Sequence, residues 1–257
     1  MKVVLFCGGQ GTRLRDYSDQ IPKPMVPIGY RPVLWHVMKY YARFGYKDFI
    51  LCLGYKADVI KNYFLDYDES LSNDFVFENG GKDIKLLHSD IDDWRITFVD
   101  TGLTANIAER LVAVKPHLEG EEVFLANYSD GLTDCPLPDL LAAHKQSGAV
   151  ASFLCIKPYH SFHVVDVGKN DGVVNKIQDT TSADFWVNGG YFVLDHKIFD
   201  YIGEGEELVN EPFQKLISES KLRAHKYTGF WGCMDTYKEK QMLDDLYDTG
   251  EAPWMGE

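Results

Sequence analysis

The chain has 257 residues, of which 45% are hydrophobic and 14% aromatic, and it carries a formal net charge of −13. This negative charge excludes a protein that binds nucleic acid broadly, because such proteins neutralise phosphates with clustered lysine and arginine. The apolar runs are shorter than the roughly 18 to 20 residues that span a bilayer, which excludes a helical membrane protein.

The remaining bulk features favour a single cytoplasmic domain. The apolar run at residues 3–6 is too short for a signal peptide. The five cysteines are widely spaced and form no CxxC pair, as is typical of reduced thiols in an intracellular protein. No Pro/Gly/Ser-rich linker divides the chain, so we expect one compact domain over residues 1–257.

The first part of the chain alternates between predicted strands and helices. The apolar runs at 2–7 and 49–54 indicate buried strands. Pro32 begins a helix with an apolar face, and a second helix covers 59–64. Short turns between such elements are typical of a parallel sheet covered by helices.

The rest of the chain adds strands of a different character. Further strands are predicted at 84–88 and 95–99 (near an edge), 123–126 and 149–156, with helices at 107–117 and 137–146. Three strands at 164–167, 173–177 and 186–194 are separated by turns, and we expect them to add antiparallel strands to the same sheet. Helices at 212–220 and 237–247 follow. The sequence therefore predicts a mixed, mostly parallel α/β sheet flanked by helices.

The C-terminal tail, residues 248–257, ends in Trp254 and Met255, which look exposed. Packing of this tail on its own domain or on a neighbouring subunit both stay open.

A glycine-rich loop follows the first predicted strand, with the sequence GGQGTRL at residues 8–14. Glycines allow a tight turn in which successive backbone N–H groups face an anion. Arg13 adds a planar, permanently charged fork that suits phosphate. The loop is not a dinucleotide fingerprint, because Leu14 stands where GxGxxG requires glycine, and it lacks the Gly-Lys-Ser/Thr of a Walker A loop.

Lys23 lies between Pro22 and Pro24, about ten residues after this loop. Two prolines stiffen the backbone, so less entropy is lost when the lysine is aimed. An ordinary surface lysine is the alternative. Next to an anion-binding loop, a braced cation suits the stabilisation of charge on a transferring nucleotidyl group.

The two segments together resemble the signature of the sugar-1-phosphate nucleotidyltransferases, and more narrowly that of the glucose-1-phosphate cytidylyltransferases. The resemblance extends over essentially the whole chain. It is carried further by PVLWHVMK at 32–39, KDFI at 47–50, GYK at 54–56, VDTG at 99–102, NGG at 188–190, GFW at 229–231, MDT at 234–236 and APW at 252–254.

The resemblance implies a Rossmann-like, GT-A-like nucleotidyltransferase fold and a Mg²⁺-dependent reaction. In that reaction, the acceptor phosphate displaces pyrophosphate from the α-phosphorus of a nucleoside triphosphate, without a covalent enzyme intermediate. It also implies a nucleotide-binding half at about 1–130, an acceptor-binding half at about 131–240, and a homo-oligomer in which the tail at 241–257 is a candidate subunit contact.

The resemblance assigns roles to individual residues. The triphosphate site is Gly8, Gly9, Gly11, Thr12 and Arg13, with Arg110 in the position that reads cytosine. The catalytic set is Arg13, Lys23, Asp130 and Asp235, of which Asp130 and Asp235 hold Mg²⁺. The acceptor site is His163, Asp179, Thr180, Asn188, Gly190 and Glu211.

Each assignment has a plainer alternative. Taken alone, Asp130 and Asp235 are typical turn residues, and Arg110 is typical of a solvated helix. The pair before Arg110 is Ala108-Glu109, where cytidylyltransferases usually have two glycines. CTP is therefore favoured, with UTP and dTTP open.

The departures from the family concentrate around the acceptor. The usual Glu-Lys-Pro segment is replaced here, so that Asp179 keeps a carboxylate but Thr180 removes a cation. His163 stands where relatives have glycine. Losing a charge-assisted hydrogen bond costs roughly 1.5–3 kcal/mol. We therefore expect a re-specified acceptor pocket in which His160 or His163 replaces part of the charge; the alternative is unchanged use of glucose 1-phosphate, with Lys176 as the cation.

Three functions follow from these observations. They are a cytidylyltransferase for a sugar 1-phosphate, a nucleotidyltransferase for another phosphorylated acceptor, and a regulatory protein that only binds nucleotides. The presence of Arg13, Lys23, Asp130 and Asp235 together disfavours the third, since a binding protein does not need the full set.

Overall fold

The computed structural model describes residues 1–9, 21–158, 163–167, 172–180 and 182–256. Its strands are β1 Val3–Phe6, β2 Pro27–Ile28, β3 Arg31–Pro32, β4 Asp48–Leu53, β5 Phe75–Glu78, β6 Asp83–Leu86, β7 Arg95–Asp100, β8 Val123–Asn127, β9 Gly131–Thr133, β10 Ala151–Ile156, β11 His163–Val167, β12 Val174–Asp179, β13 Val187–Asp195, β14 Leu222–Tyr227 and β15 Trp231–Cys233.

The α-helices of the described residues are α1 Val33–Arg43, α2 Ala57–Leu65, α3 Ile107–Val114, α4 Leu137–Ser147, α5 Glu211–Ser218 and α6 Tyr237–Asp248. Short 3₁₀ turns lie at Lys23–Met25, Glu69–Leu71, Lys115–Leu118, His196–Asp200 and Pro253–Met255. None of the helices in these parts of the chain has the length and apolar character that crossing a bilayer requires.

A seven-stranded sheet forms the centre of the molecule, in the order β14-β10-β13-β8-β1-β4-β7. All of its pairings are parallel except those of β13, which runs antiparallel to β8 and β10. The predicted mixed, mostly parallel sheet is therefore confirmed. From β1 the chain moves outward to β4 and β7, and it then returns to the other side of β1 as β8. Ligands of open α/β sheets bind at such a reversal, beyond the carboxyl ends of the strands.

Both faces of the sheet are covered, which explains why its central strands are continuously apolar. Val3, Leu5 and Cys7 point into a core shared with α1, α4 and α6. Val4 and Phe6 point into a second core formed with α3 and α5. Because alternate residues enter different cores, strands such as β1 are buried at every position.

Two sequence predictions are wrong. Residues 164–167 and 173–177 do not extend the central sheet: β11 and β12 pair only with each other, while β13 joins the sheet as expected. Trp254 is not exposed. It is 2% accessible, stacks on Phe230, and its indole N–H faces His36 Nδ1 at 3.3 Å, so the tail packs on its own domain.

Candidate active site

Asp130 follows β8, directly beside the end of β1. The residue before it, Ser129, is fully buried with φ +63°, a left-handed conformation that is costly outside glycine. Its hydroxyl donates to the carbonyl of Phe6 at 2.8 Å, and its backbone N–H donates to Asn127 Oδ1 at 2.6 Å. The hydrogen bond to Phe6 holds this strained turn against β1, and the turn sets the position of the Asp130 carboxylate.

Asp235 reaches the same place from the other end of the chain. β15 pairs antiparallel with β9, so Cys233 lies opposite Gly131, and the N–H of Met234 donates to the carbonyl of Asp130 at 3.0 Å. The N–H of Asp235 donates to Glu239 Oε2 at 3.0 Å, within the first turn of α6. Strand pairing on one side and a helix start on the other therefore place Asp235 beside Asp130.

Lys23 lies between these two carboxylates. Its Nζ donates to Asp130 Oδ2 at 2.6 Å and also to Asp235 Oδ1. The Lys23 side chain is 12% exposed, against 28% for Asp130 and 34% for Asp235. The backbone at Lys23 is a 3₁₀ turn that begins after Pro22. Three residues from distant parts of the sequence thus form one ion-paired group.

The charges of this group are strongly coupled. Burial lowers the pKa of the Lys23 ammonium, but the facing carboxylates outweigh burial and leave its pKa above the ordinary value. The pKa of Asp130 is raised by burial, against which Lys23 acts, and Asp235 adds to the rise. One ammonium facing two carboxylates leaves an excess of negative charge, which favours a further cation.

The two carboxylates fit a magnesium ion. Their facing oxygens share a single partner, Lys23 Nζ, so they lie no farther apart than two hydrogen bonds. Mg²⁺ at nucleotide sites takes one or two carboxylates and completes its shell with phosphate oxygens and water. The described residues hold no group of three or more His, Cys, Asp or Glu side chains suited to a metal. An ion held by Asp130 and Asp235 would complete its shell with phosphate oxygens of a substrate and with water.

The predicted triphosphate loop is described only in part. Gly8 and Gly9 follow β1, whereas Gly11, Thr12 and Arg13 lie outside the described residues. Among the described residues, no atom lies within 4 Å of a Cβ added at Gly9. An added Cβ at Gly8 would lie 2.0 Å from Arg110, so glycine is required there by close packing.

Arg110 is buried, not solvated. It is 3% accessible, and its guanidinium fork donates to the Gly8 carbonyl at 3.1 Å and the Leu53 carbonyl at 3.2 Å. It also donates to Thr101 Oγ1 at 2.7 Å and the Gly102 carbonyl at 3.0 Å. Arg110 thereby ties together the carboxyl ends of β1, β4 and β7. The resemblance assigned Arg110 to the nucleotide, but nothing in the sequence predicted that it would hold these strand ends together.

Two predicted acceptor residues, Asn188 and Gly190, lie together against Tyr128. The side-chain amide of Asn188 donates to Tyr128 Oη at 3.4 Å and accepts from the N–H of Gly190 at 2.9 Å. Gly190 has φ +77°, and a Cβ there would lie 2.8 Å from the Tyr128 ring. Because Tyr128 stands two residues before Asp130, this group borders the ion-paired site. Tyr128 itself was not predicted, and its only signal in the sequence was its place at the end of a predicted strand.

The other predicted acceptor residues do not lie together in one place. His163 and Asp179 face each other across the β11–β12 hairpin, with Nε2 and Oδ1 3.2 Å apart and both side chains more than half exposed. Thr180 is buried, and Glu211 begins α5 and accepts from the N–H of Glu207 at 3.1 Å. His160 lies outside the described residues.

Comparisons with known proteins show the family to which the chain is similar. Residues 2–244 match the family model described as nucleotidyl transferase. The chain is 37% identical over 256 residues to a protein of Bacillus subtilis (strain 168) named probable glucose-1-phosphate cytidylyltransferase, covering 99% of each chain. It is also 37% identical to the glucose-1-phosphate cytidylyltransferase of Salmonella typhimurium, covering 99% of this chain and 98% of the relative.

A solved structure shares the fold. HddC from Yersinia pseudotuberculosis superposes with a TM-score of 0.67 at 19% identity, covering 96% of this chain and 99% of HddC. At this identity, the likeness concerns the fold alone.

Proposed function

Because the chain belongs to the sugar-1-phosphate nucleotidyltransferase family, we propose that it condenses CTP with a sugar 1-phosphate, releasing pyrophosphate and forming a CDP-sugar. The reaction depends on Mg²⁺ held by Asp130 and Asp235. Glucose 1-phosphate is the reference acceptor, since two relatives that match nearly the full chain are named for it.

The observation that carries this proposal is the convergence of Lys23, Asp130 and Asp235 at the reversal point of the sheet. Phosphoryl transfer asks little covalent chemistry of a protein. It needs two anions to be aligned and their repulsion neutralised. A braced lysine between two carboxylates supplies both a positive charge for the reacting phosphate and the ligands for a divalent ion.

The residues divide the work as follows. Gly9 leaves room beside the backbone for the triphosphate, and Arg110 packs against Gly8 and holds its carbonyl in place. Lys23 stabilises the charge that develops at the α-phosphate. When bound, Mg²⁺ neutralises the triphosphate and orients it for in-line attack. Tyr128, Asn188 and Gly190 offer a polar surface to the acceptor beside this centre.

A different phosphorylated acceptor is the second candidate. Thr180 is not a cation, and its side chain is buried. His163 faces Asp179, so a charge on the imidazole is already matched by a carboxylate. The hairpin therefore offers less positive charge to an acceptor than the family pattern implies. Use of UTP or dTTP, a homo-oligomeric assembly and a cytoplasmic location stay predictions.

The test is product analysis. The enzyme is incubated with Mg²⁺ and each of CTP, UTP, dTTP, ATP and GTP against a panel of sugar phosphates, and the products are identified by mass. We expect a CDP-sugar and pyrophosphate in equal amounts. A product with another base corrects the nucleotide assignment, and the absence of any product removes the proposed activity.

A further inference from the structure

A second cationic group lies outside the ion-paired site. The ammonium groups of Lys157 and Lys226 both lie over the ring of Trp186, each 4.9 Å from the ring centroid. A lysine over an indole face is an attractive pairing, and tryptophan is the strongest of the aromatic partners. We call these three residues the lysine–tryptophan cluster.

The cluster is assembled by three neighbouring strands at one end of the sheet. Lys157 directly follows β10, Trp186 directly precedes β13, and Lys226 is the penultimate residue of β14. In the strand register, Cys155 lies opposite both Lys226 and Asn188. Residues opposite one another share a face of a sheet, so Lys226 lies on the same face as Asn188, a predicted acceptor contact.

The charge of the cluster is not balanced by ion pairs. Within the described residues, neither ammonium has a carboxylate at ion-pair distance. Lys157 donates to the carbonyl of Ala183, which is neutral. The carboxylate of Asp184 accepts the indole N–H of Trp186 at 3.0 Å, at the edge of the ring and not over its face. Two positive charges on one indole repel each other, and an anion bound near both lowers that repulsion.

The cluster also borders the position where the family pattern has lost its lysine. The N–H of Ala183 donates to the carbonyl of Asp179 at 3.0 Å, so Ala183 closes the turn that contains Thr180. Through its bond to Ala183, the Lys157 ammonium reaches that same turn. Positive charge absent from residue 180 is thus present nearby, supplied from β10 and β14.

The distance from the reacting phosphate decides what the cluster binds. That phosphate must meet the nucleotide at Lys23 and Asp130, next to β8. β14 is three strands from β8, which is about 14 Å at the usual strand spacing. This separation places Lys226 beyond the reacting phosphate, on the side of a sugar ring at Asn188 that faces away from that phosphate.

We infer that the lysine–tryptophan cluster binds a second anionic group, a carboxylate or a phosphate, on the acceptor sugar. The preferred acceptor is then a sugar 1-phosphate with a further negative charge, and Lys157 and Lys226 determine that preference. The inference rests on the proposed nucleotidyl transfer and names the acceptor class for it.

The experiment compares three acceptors with CTP and Mg²⁺: glucose 1-phosphate, glucuronic acid 1-phosphate and glucose 1,6-bisphosphate. Pyrophosphate release gives kcat/KM for each acceptor. The wild type is expected to prefer the carboxylate or the bisphosphate over glucose 1-phosphate by about tenfold or more, the effect of one charge-assisted hydrogen bond. Whichever of the two is preferred identifies the anion.

The variants test the residues. The double substitution Lys157→Met and Lys226→Met is expected to abolish the preference, because kcat/KM falls far more for the anionic acceptor than for glucose 1-phosphate. Lys145→Met, at an exposed lysine of α4, is the matched control and leaves all three values unchanged. Thermal unfolding confirms that the variants fold.

Two results overturn the inference: a wild type that uses glucose 1-phosphate at least as well as both anionic acceptors, or a double variant that loses activity on all three acceptors by the same factor. Failure of the proposed function looks different, since no acceptor then releases pyrophosphate. Calorimetric titration of the wild type and the double variant with each acceptor gives a readout that is independent of turnover. If the two proteins bind the anionic acceptors with equal affinity, the inference is also contradicted.

Discussion

Replacing Lys23 by methionine removes the positive charge between Asp130 and Asp235 while keeping the length of the side chain. Their facing oxygens are then at most about 5 Å apart, which is two hydrogen-bond lengths. At an effective dielectric constant near 20, two like charges at that distance repel by about 3 kcal/mol. Because Asp235 is 34% exposed, water screens part of this repulsion, and we expect the free energy of unfolding to fall by about 2 kcal/mol.

Urea unfolding in EDTA at neutral pH measures this change. A second variant, Lys23→Met with Asp235→Asn, removes one of the two repelling charges and is expected to recover most of the loss. Mg²⁺ is expected to stabilise Lys23→Met more than the wild type, since the two carboxylates then no longer share the ammonium that opposes a divalent ion. Lys145→Met serves as the control. The reasoning fails if Lys23→Met is as stable as the wild type, or if adding Asp235→Asn destabilises it further.

Three further predictions concern the packing around the site. Burial lowers the pKa of His36 to about 4, so His36 takes up a proton at a higher pH in the unfolded chain than in the folded protein. The free energy of unfolding should therefore fall by about 3 kcal/mol as the pH drops from about 6.5 to 4. Urea unfolding of His36→Gln over this pH range should not show that loss. Trp254→Ala deletes a buried, stacked indole and is expected to cost about 3 kcal/mol or more in the same assay, whereas an unchanged midpoint would contradict the packing of the tail. Arg110→Lys keeps the charge but loses the fork that holds Gly8, so KM for CTP should rise more than kcat falls; unchanged kinetics would contradict its positioning role.

The central part of the fold was predictable because its sequence signals are local and strong. Continuous apolar runs marked β1, β4 and β8, and these strands are buried on both faces as such runs require. The strands that were missed or misplaced lack that signal. β14 is a mostly polar segment at the edge of the sheet. β11 and β12 are exposed strands that, within the described residues, pair with each other and not with the central sheet.

The residues of the candidate site were predictable from the sequence, but the contacts between them were not. Lys23, Asp130 and Asp235 were assigned by resemblance, and no spacing rule places them around one nitrogen. That contact depends on the pairing of β9 with β15 and on the left-handed turn at Ser129. Both are tertiary features. The same limit applies to Trp254, whose burial depends on Phe230 and His36 from other parts of the chain.

The central claim is that Lys23, Asp130 and Asp235 form one nucleotidyl-transfer site. The most direct test is kcat for pyrophosphate release, with saturating CTP, acceptor and Mg²⁺, in Asp130→Asn, Asp235→Asn and the double variant. If the two carboxylates act as a unit, each single variant loses about 10²- to 10³-fold and the double variant loses little more than either single one. A single variant that keeps wild-type kcat, or two losses that multiply in the double variant, would contradict the claim.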